Sequence, residues 1–134
     1  MTIFYGNFSV QIVERRLVLP ARYHEEFSNG IFITTGDFHC LYAFTRDEFR
    51  EFVESLRAAS VPAMKIRIFF SSANEQMPKE DGGIIIPAKL CEYASLDGVC
   101  RINGMDKRLE IWNPERWDAY ESGQEPSFAD GPGD

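Results

Sequence analysis

Hydrophobic positions in this chain fall in short runs, and one of those runs is written twice. Arg15-Arg16-Leu17-Val18-Leu19-Pro20-Ala21-Arg22 is matched by Gly82-Gly83-Ile84-Ile85-Ile86-Pro87-Ala88-Lys89: three branched apolar residues, then Pro-Ala and a basic residue. The residues after each copy match too. Gly30, Gly36, Leu41, Phe44, Phe49 and Phe52 correspond, at a constant offset of 68, to Gly98, Gly104, Leu109, Trp112, Trp117 and Tyr120. The pattern predicts a duplicated unit. Two copies are too few for a solenoid, so the expectation is two half-domains sharing one core, residues 1–59 and 74–121, joined by 60–73 and followed by a tail at 122–134.

Local patterning predicts the elements of each copy. Tyr5–Val13 is rich in β-formers and reads as a strand leading into a second, Leu17–Leu19. Pro20 suits the first turn of a helix over Pro20–Phe27, because its missing N–H would be unpaired there anyway. Asn29-Gly30 makes a turn, and strands come next at Ile31–Thr34 and Leu41–Phe44. Thr45 with Glu48 forms a capping box. Phe49, Phe52, Val53 and Leu56 then recur at helical spacing, predicting a helix over Arg46–Ala58 with a mixed-charge outer face. Residues 60–72 connect the halves, with Met64, Ile68 and Phe69 as the buried side of a short helix, and Phe69-Phe70 as core or subunit contact. The second copy repeats the plan: a turn at Lys79–Gly83, a strand at Ile84–Ile86 and a helix at Pro87–Ala94. Strands at Val99–Ile102 and Leu109–Trp112 then flank Asn103-Gly104. Asn113-Pro114-Glu115 opens a last helix running to about Tyr120. The tail from Ser122 holds glycine, proline, serine and acids, and is expected to be disordered.

Composition narrows the class. The chain has 134 residues, 44% of them hydrophobic, enough for a real core. No run approaches the roughly 20 apolar residues of a membrane span, and the N-terminus, Met1-Thr2-Ile3-Phe4-Tyr5-Gly6, lacks the basic start and apolar run of a signal peptide. A cytosolic protein is expected. Cys40, Cys91 and Cys100 are an odd number without C-x-x-C spacing, which argues for reduced core cysteines rather than disulfides or zinc. His24 and His39 read as surface or loop histidines, and nothing points to a metal, a cofactor or a small-molecule ligand.

The net charge of −7 is unusual for a nucleic-acid binder, but it is uneven. From Pro114 onward six acids face one base, Arg116, so the rest of the chain carries only −2.

Several segments together resemble the MraZ family within the wider group of AbrB/SpoVT-like swapped-hairpin domains. They are Arg16–Tyr23, Phe69-Phe70, Ile84–Leu90, Glu92-Tyr93-Ala94 with Leu96, and Leu109–Trp117. They span nearly the whole chain up to Tyr120, in family order and spacing. The resemblance implies a mixed α+β fold of two tandem swapped-hairpin β units with flanking helices, a pseudo-twofold double barrel. It also implies a ring-forming homo-oligomer, cytoplasmic and nucleoid-associated, that binds direct repeats in the promoter of the division and cell-wall gene cluster. The family signature in each half is Asp-x-x-x-Arg before the strand, with the arginine facing DNA. Here the first copy aligns Ile12 and Arg16, and the second aligns Lys79 and Gly83, so only Arg16 remains. An arginine held by an acid is oriented for bidentate recognition of a guanine edge, whereas a free one suits phosphates.

The candidate DNA-binding residues are Arg15, Arg16 and Arg22 in the first half and Lys79 and Lys89 in the second. Repetition around a symmetric ring would sum several weak contacts. The alternative is an oligomeric interaction module of the same fold that has lost most DNA binding and works through a protein. An enzyme is not indicated. His39 and Cys40 are sequence neighbours without a third orienting group, and Gly82-Gly83 does not lead from a strand into a helix as a dinucleotide site requires.

Overall fold

The computed structural model describes residues 3–123. Strands Asn7–Val13 (β1) and Arg16–Val18 (β2) lead through a 3-10 turn at Ala21–Tyr23 to strands Ile31–Thr35 (β3) and Leu41–Phe44 (β4). Helices Arg46–Ala58 (α1) and Ala63–Ser72 (α2) come next, then strands Asn74–Gln76 (β5) and Gly83–Ile85 (β6) and helix Ala88–Ala94 (α3). Strands Gly98–Met105 (β7) and Arg108–Trp112 (β8) and helix Pro114–Glu121 (α4) complete the order.

The two copies exchange strands. All eight strands lie in one sheet, ordered β5-β3-β4-β8-β7-β1-β2-β6, so that β1 pairs with β7 of the second copy and β5 with β3 of the first. Every pairing is antiparallel. Two of these ladders straddle a pseudo-twofold axis: β2–β6 is centred on Leu17 opposite Ile84, and β4–β8 on Tyr42 opposite Glu110. The sheet is a nearly closed barrel. In the first copy the backbones of β1 and β2 pair directly, at Ile12 with Leu17 and Val13 with Arg16. In the second, the side chain of Gln76 bridges β5 to β6, Oε1 accepting from the Ile85 N–H at 2.9 Å and Nε2 donating to its carbonyl at 2.7 Å. The chain is thus mixed α+β, with two interlocked β units and flanking helices, as the resemblance implies.

Alternation along the strands sets two cores. Leu17, Leu19, Ile31, Ile33, Leu41, Ile84, Ile86, Ile102, Leu109 and Ile111 point into the barrel, joined by Phe4 stacked on Phe27 at 5.3 Å. Each such side chain contributes about 1.5–3 kcal/mol through burial. The opposite face of β3, β4 and β8 carries an aromatic layer of Phe32, Tyr42, Phe44 and Trp112, covered by Phe49 and Phe52 of α1, Phe69 of α2 and Trp117 of α4. The repeated large residues at the constant offset therefore belong mostly to this helix-facing layer. At Gly104 the backbone of Tyr5 crosses so closely that a Cβ would overlap it, which gives one glycine of the duplication a geometric cause.

Local readings differ from the structure at four places. Pro20–Phe27 is a 3-10 turn followed by further turns, because tertiary anchors override a weak, short helical signal: His24 Nε2 meets the Leu19 carbonyl at 2.6 Å, and the Tyr23 hydroxyl donates to the Tyr5 carbonyl. Asn103-Gly104 continues β7 instead of separating two strands; the turn lies at Asp106-Lys107, where Asp106 has φ 64°. In α2 only Phe69 is buried, while Met64 and Ile68 face outward, because Thr34 Oγ1 donates to the Phe69 carbonyl at 2.7 Å and fixes the helix's rotation. β5 has no counterpart among the expected elements, since Asn74-Glu75-Gln76 has no apolar alternation. The helices at α1, α3 and α4 form as expected, with Thr45 Oγ1 accepting from the Glu48 N–H and Asn113 Oδ1 from the Arg116 N–H. The predicted disorder of the tail concerns residues that, from 124 onward, lie outside those described. No helix of the described residues is long and apolar enough to cross a membrane.

Candidate nucleic-acid interface

The β2–β6 ladder presents an outer face at the pseudo-twofold. Leu17 and Ile84 point inward, so Arg16, Val18, Gly83 and Ile85 are left on the outside by simple alternation. Arg16 stands opposite Ile85, and Val18 opposite Gly83. Arg16 and Gly83 are therefore counterparts, one in each copy.

Arg16 enters this face from a tight hairpin. Val13 pairs with Arg16, leaving Glu14 and Arg15 as the two loop residues, with φ of 51° and 65°. Such two-residue loops favour glycine or asparagine, because a Cβ is strained in the left-handed region. Neither residue relieves that strain. Arg15 is held in place from both ends: its carbonyl accepts from the Ile86 N–H at 2.7 Å, and Nη1 donates to the Ile86 carbonyl at 3.3 Å.

The Arg16 guanidinium is not free. Nη2 donates to Asp81 Oδ2 at 2.7 Å, and the other carboxylate oxygen accepts from the Gly83 N–H at 2.8 Å. The hydrogen bond from Arg16 is the main reason that the Asp81 carboxyl is held below its usual range, with the Gly83 amide second. An acid of the second copy thus pairs with the arginine of the first. Sequence reasoning missed Asp81 because it lies 65 residues from Arg16; only the strand exchange brings them together.

The remaining candidates divide. Lys79 opens the turn into β6, its N–H donating to the Gly83 carbonyl at 2.9 Å, and its side chain is exposed. Lys89 is exposed in α3, just past the Ile86 that Arg15 grips. Arg15, Arg16, Lys79 and Lys89 therefore belong to one neighbourhood around β2 and β6. Arg22 is occupied elsewhere: its guanidinium lies 4.3 Å from the Tyr5 ring centre and 5.7 Å from that of Phe8, and Nη2 donates to the Tyr5 hydroxyl at 2.7 Å.

Away from this face, a cleft of about 380 Å³ lies between α1, α2 and the β3–β4 loop. Two pairs of polar groups meet there: Lys65 Nζ is 3.1 Å from Asp37 Oδ1, and the Tyr93 hydroxyl donates to the Gly36 carbonyl. His39 ends a short 3-10 turn, Asp37–His39, and packs on Tyr93, while His24 lies in the turns after Tyr23 against the Leu19 carbonyl; both are half-buried rather than on the open surface. All three cysteines are free, and burial pushes the Cys40 thiol well up. Among the described residues no group of His, Cys, Asp or Glu is arranged to hold a metal ion.

Comparison with known proteins bears on what this face does. The family model described as "MraZ protein, putative antitoxin-like" matches residues 69–132. The chain is 42% identical over 133 residues to a protein of Parafrankia sp. (strain EAN1pec) named "Transcriptional regulator MraZ", with 96% of this chain and 93% of that one covered. Proteins of the same name from Frankia alni and Thermobifida fusca are 43% and 40% identical over the same shares.

Proposed function

Because the chain belongs to the MraZ family, we propose that it is a transcriptional regulator that binds promoter DNA through the outer face of the β2–β6 ladder. Arg16 reads a base edge, and Arg15, Lys79 and Lys89 contact phosphates. The observation that carries the reading is Arg16 itself, half-exposed at the pseudo-twofold and held by a carboxylate, the arrangement suited to directed recognition by an arginine. Self-association into a ring would repeat this face, so that a chain of net charge −7 still offers clustered cations to a run of direct repeats. The division and cell-wall gene cluster is the target that the family resemblance implies, and the nucleoid the place of action. Arg22, tied to Tyr5, packs at the start of β1 rather than touching DNA.

The test is binding to the promoter upstream of the protein's own gene and to shuffled DNA, each at two salt concentrations, with Arg16→Ala alongside. Preference for the promoter that Arg16→Ala abolishes supports the reading. Affinity should also fall with salt by a log–log slope of about −0.9 per phosphate contacted. Equal, weak binding to both DNAs at both salts would instead favour an interaction module that works through a protein.

A further inference from the structure

We propose that Asp81 and Gly83 are positioning residues for Arg16: the second copy, having lost its own arginine, orients that of the first, so each subunit carries one composite recognition point built by both halves. The inference rests on the DNA-binding reading and adds to it how specificity is set.

Three observations lead to it. Asp81 is itself doubly fixed, one oxygen on the Gly83 amide at 2.8 Å and the other on Arg16 Nη2 at 2.7 Å, so it can impose a direction on the guanidinium. Only one of the five N–H donors of Arg16 is used by this contact, which leaves others for a base edge. Second, Gly83 occupies the position equivalent to Arg16, and a Cβ there would overlap the guanidinium. Its φ lies outside the left-handed region, so the backbone does not require glycine. Space for Arg16 does. Third, the pair is too exposed to matter much for stability: the side chains are 43% and 56% accessible, and exposed ion pairs contribute little. What the contact fixes is geometry.

The experiment compares wild type, Asp81→Ala, Gly83→Ala and Arg16→Ala for promoter and shuffled DNA at two salt concentrations. In parallel, nitrogen-15 relaxation of the Arg16 side chain reports whether the guanidinium is ordered. Asp81→Ala should lower the promoter-to-shuffled affinity ratio by about tenfold, within the range of one lost directed base contact. Its affinity for shuffled DNA should rise slightly, because a negative charge has gone. Gly83→Ala, which displaces the guanidinium and keeps both charges, should lower the ratio similarly with no rise on shuffled DNA. In both variants the Arg16 guanidinium should become mobile. If both keep the wild-type ratio while Arg16→Ala loses it, the positioning role is wrong. If wild type itself shows no promoter preference, the DNA-binding reading fails, and relaxation decides separately: a guanidinium equally ordered in Asp81→Ala and wild type overturns the positioning role, and one that loosens upholds it.

Discussion

The Gln76 carboxamide meets the backbone of Ile85 with both its ends, standing in for the strand pairing that Ile12 and Leu17 make in the other copy. A side chain thus closes the barrel where β5 falls short. These two hydrogen bonds are of ordinary net value, about 0.5–1.5 kcal/mol each, and Nε2 donates in addition to Asn74 Oδ1 at 2.8 Å.

Gln76→Ala should therefore destabilise the fold by about 1–2 kcal/mol in chemical denaturation. Gln76→Glu should cost more at neutral pH, because a carboxylate keeps the acceptor for the Ile85 N–H but turns a lone pair on its carbonyl. Amide exchange at Ile85 should speed up in Gln76→Ala. Unchanged exchange would mean that the bridge does not hold β6.

Arg15 sits in the left-handed region, which costs a non-glycine residue about 1–2 kcal/mol. Arg15→Gly should relieve that strain but lose the contact to the Ile86 carbonyl, about 1 kcal/mol, and add about 0.5–1 kcal/mol of unfolded-chain entropy, so stability should stay within about 1 kcal/mol of wild type. In a chain of this size, that keeps the melting temperature within roughly 3–4 °C of wild type. The same variant should bind DNA more weakly, with a salt slope shallower by about 1. A fall well beyond that range would show that the turn stores no strain.

Acid affects the Arg16–Asp81 pair in a defined direction. The folded-state value of Asp81 is lowered, first by the hydrogen bond from Arg16. Its stabilising contribution is then complete above the ordinary aspartate range, about 3.9, and is lost only as pH falls through the lowered value. Carbon-13 titration of the Asp81 carboxyl should give a midpoint below about 3.9, moving up toward it in Arg16→Ala. A midpoint that does not move would remove Arg16 as the cause.

The thiols should be unreactive in the native protein. Burial pushes Cys100 up to about 12, raises Cys40 well above its ordinary range, and raises the half-buried Cys91 as well. Raised values leave the protonated thiol dominant through neutral pH and beyond, and only the thiolate attacks disulfide reagents. A chromogenic disulfide at mildly alkaline pH should react slowly, first at Cys91 as identified by mass spectrometry, and with three thiols once denaturant is added. Rapid native labelling at Cys40 or Cys100 would contradict the packing.

Much of the fold is legible in the sequence because local signals and tertiary demands agree there. Thr45 caps, Phe49, Phe52, Val53 and Leu56 supply one face, and α1 begins and ends where that pattern places it. Leu41–Phe44 is likewise plain, being bounded by turn residues. The signal fails where a distant contact outweighs propensity. Tyr23 and His24 are drawn into tight turns by Tyr5 and Leu19, and Phe69 is turned inward by Thr34 while Met64 and Ile68 stay out. At the candidate interface, Arg16, Arg15, Lys79 and Lys89 stand out by their place in the repeat. Asp81 is invisible because no periodicity links it to Arg16, and the stacking of Arg22 on Tyr5 likewise leaves no trace in spacing.

The strand exchange also sets an order of events during synthesis. Phe8 of β1 pairs with Ile102 of β7, 94 residues later in the chain. At typical elongation rates β1 emerges on the order of ten seconds before the strand that will lie beside it. Until then it can lean on the short β2 hairpin, whose loop is itself strained at Glu14 and Arg15, and on Tyr23 just beyond it. The nascent chain thus waits with an unfilled sheet edge, the state in which a neighbouring nascent chain on the same message could donate the missing strand.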